Sequence, residues 1–172
     1  MVMSLRSCIV CCTIVLFLIA GCGDGRPKRV NVVGKVTLDG KPLEGAMVAL
    51  QPIPDASLKG FARPANATTN AAGEFVPGTY GEGDGLPPGK YRVAIIKREV
   101  VGKLPDNYNP DRPEQFNVTY KWITPRAVAV AERSGLEVEV TKSGINPAVI
   151  DLKSVRPEEI EVTGPQARAN EP

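Results

Sequence analysis

Few side chains in this 172-residue chain have the type and spacing that chemistry requires. The four cysteines, Cys8, Cys11, Cys12 and Cys22, all fall within the first 22 residues. An ionised thiol is a nucleophile and a soft metal ligand, and Cys8-Ile-Val-Cys11 has the spacing of redox and zinc motifs. That pair sits inside an apolar run, so a metal role is not expected. A second set, Asp106-Asn-Tyr-Asn-Pro-Asp111, places oxygen ligands near alternate positions, as a calcium loop would. Pro110 interrupts it, and the glycine and distal glutamate of an EF-hand are missing, so a solvated loop is expected. The third set is aromatic. Phe116, Tyr120 and Trp122 alternate with polar residues and, with Tyr108, form a candidate ligand platform on which a sugar ring could stack. The same period of two, with Val118 in the series, also describes the core side of a strand. Both assignments stand at this point.

The absences narrow the classes further. The chain has no histidine, which removes the commonest general base, metal ligand and partner of a nucleophilic Ser or Cys. It has no Gly-x-Ser-x-Gly and no phosphate-binding loop. With 21 Lys+Arg against 19 Asp+Glu, the formal charge is +2, too balanced for a nucleic-acid partner. A non-enzymatic protein is expected, with no catalytic residue, no metal and no diffusible cofactor.

The N-terminus carries the most specific pattern. Arg6 is the sole charge before Asp24, and Cys8 to Ala20 is an apolar stretch of 13 residues. As a helix it would span roughly 20 Å, short of the hydrocarbon core of a bilayer. A basic start, a short apolar core and then small residues describe a signal peptide. Ile19-Ala20-Gly21-Cys22 resembles the bacterial lipobox, in which a branched apolar residue and two small ones precede a cysteine. The resemblance implies recognition of Ile19, Ala20 and Gly21 by a signal peptidase and cleavage after Gly21. It further implies a covalent diacylglyceryl group on the Cys22 sulfur and an N-acyl chain on its amine. Two or three acyl chains anchor stably where one is marginal. The expected location is the bacterial cell envelope, with the membrane as one partner and an envelope protein or glycan as another.

The remainder reads as strands and turns. Residues 1–21 are the expected signal peptide, 22–30 a polar tether, 31–153 the globular unit and 154–172 a disordered tail. Val32, Gly34, Val36 and Leu38 have period two, and Asp39-Gly40 is a preferred hairpin pair. Ala46, Val48 and Leu50 mark the next strand, and Phe61 and Thr68-Thr69 fall in a short third one. Asn70-Ala-Ala-Gly73 is a turn before Phe75. The strongest strand has Tyr91, Val93 and Ile95 on one face. Residues 103–114 are loop, and 127–133 is open between a helical turn and a strand. Leu136, Val138 and Val140, then Ala148, Ile150 and Leu152, close the pattern. With 17 Gly and 16 Pro and no long helical period, the expectation is all-β: an antiparallel sandwich of seven or eight strands.

Gly34-Lys-Val-Thr-Leu-Asp-Gly-Lys-Pro-Leu-Glu-Gly-Ala-Met-Val-Ala-Leu50 resembles the opening of the carboxypeptidase regulatory-like, or transthyretin-like, domain, an Ig-like sandwich. Thr68-Thr-Asn-Ala-Ala-Gly-Glu-Phe75 and Leu86-Pro-Pro-Gly-Lys-Tyr-Arg-Val93 are similar to its next two elements. Ser134 to Val140 and Ile150-Asp-Leu152 are similar to its closing strands in bacterial lipoproteins. Residues 101–123 have no counterpart. The resemblance implies a non-catalytic module, because the branch of the group that hydrolyses hydroxyisourate depends on histidines.

Overall fold

Alternating apolar residues broken by Gly and Pro favour short strands, and twelve form among the described residues. The structure, a computed structural model, describes residues 26–54, 63–165 and 167. In chain order the strands are β1 (Gly34–Leu38), β2 (Lys41–Pro42), β3 (Met47–Pro52), β4 (Ala65–Thr68), β5 (Glu74–Phe75) and β6 (Gly89–Ile96). They continue as β7 (Arg98–Val100), β8 (Val118–Trp122), β9 (Glu137–Thr141), β10 (Gly144–Asn146), β11 (Val149–Leu152) and β12 (Ile160–Thr163). The fold is the expected all-β sandwich, divided into more and shorter strands. The 3-10 turn Arg126–Val128, one of two among the described residues, settles the open stretch at 127–133 in favour of a helical turn.

A five-stranded sheet runs β10-β9-β6-β3-β4, with every neighbouring pair antiparallel. A four-stranded sheet is built on β1, with β11 on one edge and β5 and β2 on the other. Its β1–β11 ladder is parallel, Val36 opposite Ile150, an exception to the antiparallel rule. No short hairpin joins these two strands, so the connection leaves their relative direction free.

Val36, Phe75, Ile150 and Leu152 share one buried cluster with Val48, Leu50, Tyr91, Val93, Ile95, Val138 and Val140. Tyr91, Val93 and Ile95 of β6 are fully buried at its centre. The Tyr91 hydroxyl still finds a partner, donating to the Pro87 carbonyl at 2.6 Å. Burial pushes its pKa up to about 12.

The third sheet has three strands in the order β12-β8-β7. The chain passes from β6 to β7 through Lys97, changing sheets there. The buried Thr124 hydroxyl holds this break, accepting the Lys97 N–H at 3.0 Å. The expectation of a disordered tail over residues 154–172 is corrected for its described part, residues 154–165. Within them Ile160–Thr163 forms β12, antiparallel to β8, with Glu161 opposite Tyr120. Its four residues alternate apolar and polar between Pro157 and Gly164. That signal is too short to read without its distant partner. The expected signal peptide, Phe61 and the end of the chain lie outside the described residues.

The hairpin between β1 and β2 turns at Asp39 and Gly40, both at positive φ, 51° and 79°. Asp151 of β11 clasps it. Its Oδ1 accepts the Thr37 hydroxyl at 2.6 Å and the Gly40 N–H at 2.9 Å, and Oδ2 accepts Lys153 Nζ at 2.5 Å. The donations from Lys153, Thr37 and Gly40 lower the Asp151 pKa to about 2. An unfolded Asp titrates at about 3.9, so this clasp stabilises the fold fully above that pH and is lost as pH falls through about 2. Asp151→Asn should therefore be less stable than wild type at neutral pH. The gap should close between about pH 4 and pH 2 in urea titrations. A gap independent of pH would refute the clasp.

Candidate functional site

Strand alternation gathers the aromatic residues on β8. Val118, Tyr120 and Trp122 share one face, and cross-strand register brings Arg98 and Val100 of β7 and Glu161 of β12 to the same face. Tyr108 and Phe116, from the loop before β8, pack against each other with centroids 5.4 Å apart and rings tilted by 58°. Tyr108 also hydrogen-bonds to the Tyr120 hydroxyl. All four expected platform residues are half-buried, while Val118 is buried. The alternation thus serves partial packing at three ring positions and full packing at one.

Charged groups cover these rings. The Arg98 guanidinium lies 4.1 Å from the Tyr120 centroid, and that of Arg126 lies 5.5 Å from Trp122. Glu161 ties them together, accepting Trp122 Nε1–H at 2.9 Å and pairing with Arg98 at 3.3 Å and Arg126 at 4.0 Å. Glu159 accepts the Arg126 N–H at 2.8 Å through its side chain and the Trp122 N–H at 2.9 Å through its carbonyl. Burial, then the Tyr108 hydrogen bond, raises the Tyr120 pKa. Stacks of this kind contribute about 0.5–1 kcal/mol each at exposed sites. The result is a lattice of rings, guanidiniums and carboxylates that satisfies itself. A groove of 560 Å³ runs beside it, lined by Trp122, Arg126, Ala129, Val130 and Arg133.

Sequence reasoning named the rings and missed Arg98, Arg126, Glu159 and Glu161. The last two sit in the stretch assigned to the tail. The alternation Ile160-Glu-Val-Thr163 was the available signal.

The opposite face of the same sheet is different. The Val101 amide donates to the Thr119 carbonyl, and Thr119 faces Val162, so Val101, Thr119 and Val162 form one row. Glu99, Lys121 and Ile160 form the next. Val101 is 48% exposed, Ile160 50% and Val162 40%. The outer edges of β7 and β12 pair with no further strand among the described residues.

The other sequence candidates are placed as follows. Asp106 pairs with Lys103 at 2.5 Å, and the Asn109 side chain accepts the Asp111 N–H at 2.9 Å. These are contacts internal to the loop. No group of three His, Cys, Asp or Glu suited to a metal occurs among the described residues. Ile19, Ala20, Gly21 and Cys22 lie outside them. No helix among the described residues is long and apolar enough to cross a membrane.

Comparison with protein-family models, with curated proteins and with solved structures returns no match to this chain.

Proposed function

We propose that this protein is a non-enzymatic module of the bacterial cell envelope, exported by its N-terminal segment, lipid-anchored at Cys22, and presenting its three-stranded sheet to an envelope protein. The observation that carries the partner assignment is the exposed row of Val101 and Val162 with Ile160 beside it, on a sheet whose two outer edges are open among the described residues. Flat apolar faces and open edges are what protein partners cover. The lipobox-like Ile19-Ala-Gly-Cys22 supports the anchor, and the transthyretin-like pattern over residues 31–153 supports a non-catalytic role. The glycan alternative on strand 116–122 has less support, because a sugar would have to displace Arg98 from Tyr120 and Arg126 from Trp122.

The test has two arms. Cys22→Ser is expected to abolish labelling by a clickable fatty acid in a bacterial host; labelling that persists overturns the anchor. A photo-crosslinking residue at Val162 is expected to give a protein adduct in cells, lost on Val101→Asp/Ile160→Asp. The same residue at exposed Val149 on β11 should give none. An adduct indifferent to those substitutions overturns the interaction face.

A further inference from the structure

Hydrogen-bond parity shows which backbone groups the two outer strands of the three-stranded sheet leave open. The Trp122 N–H donates to the Glu159 carbonyl at 2.9 Å, and β12 continues antiparallel to β8 with Glu161 opposite Tyr120 and Thr163 opposite Val118. Bonded pairs alternate along such a ladder. Glu161 and Thr163 therefore bond to β8, and the N–H and C=O of Ile160 and Val162 point out of the sheet. On β7 the Val101 N–H donates to the Thr119 carbonyl and the Ile123 N–H to the Lys97 carbonyl. The same count turns the backbone of Arg98 and Val100 outward.

The two edges differ in what guards them. Proteins blunt an open edge with charge, proline or brevity. β7 has three residues, two of them charged, and its Arg98 is drawn over Tyr120. β12 holds three β-branched residues in four, with no base and no proline. Its Ile160 and Val162 side chains are exposed, and among the described residues the strand pairs with β8 alone.

Outward N–H and C=O groups in alternation call for an extended backbone, and a strand that fits is β12 itself. Turned about a two-fold axis, a second β12 sets Ile160 of one copy opposite Val162 of the other. That antiparallel register pairs every outward N–H and C=O of both strands. It also gathers two Ile160 and two Val162 side chains on one face. Glu161 then meets its own copy on the ring face, where like charges are unfavourable. Each carboxylate, however, is already held by its own Trp122 Nε1–H, Arg98 and Arg126. The charges around it balance as well. Lys97 pairs with Glu99 and Lys121 with Glu158, while Glu159 accepts the Arg126 N–H and shares a groove with Arg156. Together these groups come within one charge of neutrality, so two copies meet with little net repulsion.

We infer that β12 pairs antiparallel with β12 of a second copy of this chain, joining two three-stranded sheets into one of six strands. Two-fold, self-matching contacts are the commonest between copies of one chain. The contact is small, and the inference rests on the anchor proposed above, which concentrates the copies in one plane. The apolar face of each sheet stays open to the envelope partner.

Ile160→Cys and Val162→Cys chains, differently tagged, are produced together in a bacterial host, and the membranes are oxidised with copper phenanthroline. Both positions are exposed, so neither substitution should unfold the domain. In the inferred register, position 160 of one copy and 162 of the other have Cα atoms about 5.5 Å apart, within disulfide range. Two copies of the same variant meet only on a diagonal of about 7–8 Å, beyond that range. The mixed sample should give a disulfide joining the two tags, and each variant alone should give none. Equal yields from mixed and single variants would mean chance collision and overturn the pairing. No disulfide, with both thiols open to a maleimide, overturns the second copy; a Val162 photo-adduct with another protein then leaves the face assignment standing. A disulfide in the unsubstituted chain would mean that Cys22 is not alkylated, and the anchor falls with the inference built on it.

Discussion

Gly73→Ala is expected to destabilise the fold by about 3 kcal/mol, lowering the melting temperature by roughly 10 °C. Two causes act at this residue. Gly73 has φ of 74°, where a side chain costs about 1–2 kcal/mol. It also sits against the backbone where β1, β2 and β5 meet. A Cβ there would lie 2.5 Å from the Val36 carbonyl oxygen and 3.0 Å from the Leu43 nitrogen. Those two atoms bond to each other at 3.1 Å, and the Val36 N–H donates to the Gly73 carbonyl at 2.8 Å. Relief of the collision therefore disturbs bonds of the β1 edge itself. Gly135 separates the causes: its φ is 69°, yet nothing lies within 4 Å of a Cβ added there. Gly135→Ala should cost about 1 kcal/mol, the conformational part alone. Urea unfolding of both variants decides the matter. Equal losses would mean that the backbone yields at Gly73 and that the tight junction is not what the structure describes.

How far the sequence carries can be argued from the same residues. Gly73 and the Asp39-Gly40 pair were legible because positive φ selects so few residue types. β6 was legible because Tyr91, Val93 and Ile95 are all inward, and a strand with a fully buried face shows a clean period of two. β8 has the same period, but its sheet meets solvent on both sides. Phe116, Tyr120 and Trp122 are half-buried, and alternation alone does not distinguish that condition from a core or from a platform. The charged half of the candidate site was invisible for another reason. Arg98 and Glu161 are 63 residues apart, and the strand that presents Glu161 is short enough to pass for a tail. Direction of pairing between β1 and β11 was equally out of reach, since no turn connects them. The proposed anchor at Cys22 rests on sequence alone, through the types of its neighbours.

Thr69 provides the second large effect, and it explains a threonine that pattern matching noticed without a physical role. The residue follows β4 and is buried. Its hydroxyl donates to the Leu43 carbonyl at 2.6 Å and accepts the Ala46 N–H at 2.8 Å. Its own N–H donates to the Ala46 carbonyl, and its carbonyl accepts the Gly45 N–H, each at 2.9 Å. One side chain thus closes the 43–46 connection that leads into β3. Thr69→Val keeps the shape and removes both hydroxyl bonds, leaving a buried N–H and C=O unpaired at about 1–3 kcal/mol each. A loss of about 2–4 kcal/mol is expected. Thr69→Ser keeps both bonds and removes one methyl, for a loss of about 1 kcal/mol. The order wild type, Ser, Val in urea midpoints tests the clasp; equal losses for Ser and Val would show that burial of the methyl, not the hydroxyl, is what Thr69 supplies. Gly73 and Thr69 both act on Leu43, the first at its N–H and the second at its C=O. Releasing it by either route loosens the other, so Gly73→Ala/Thr69→Val should cost less than the two losses added. Additivity would mean that the turn and the clasp stabilise the β1 edge independently.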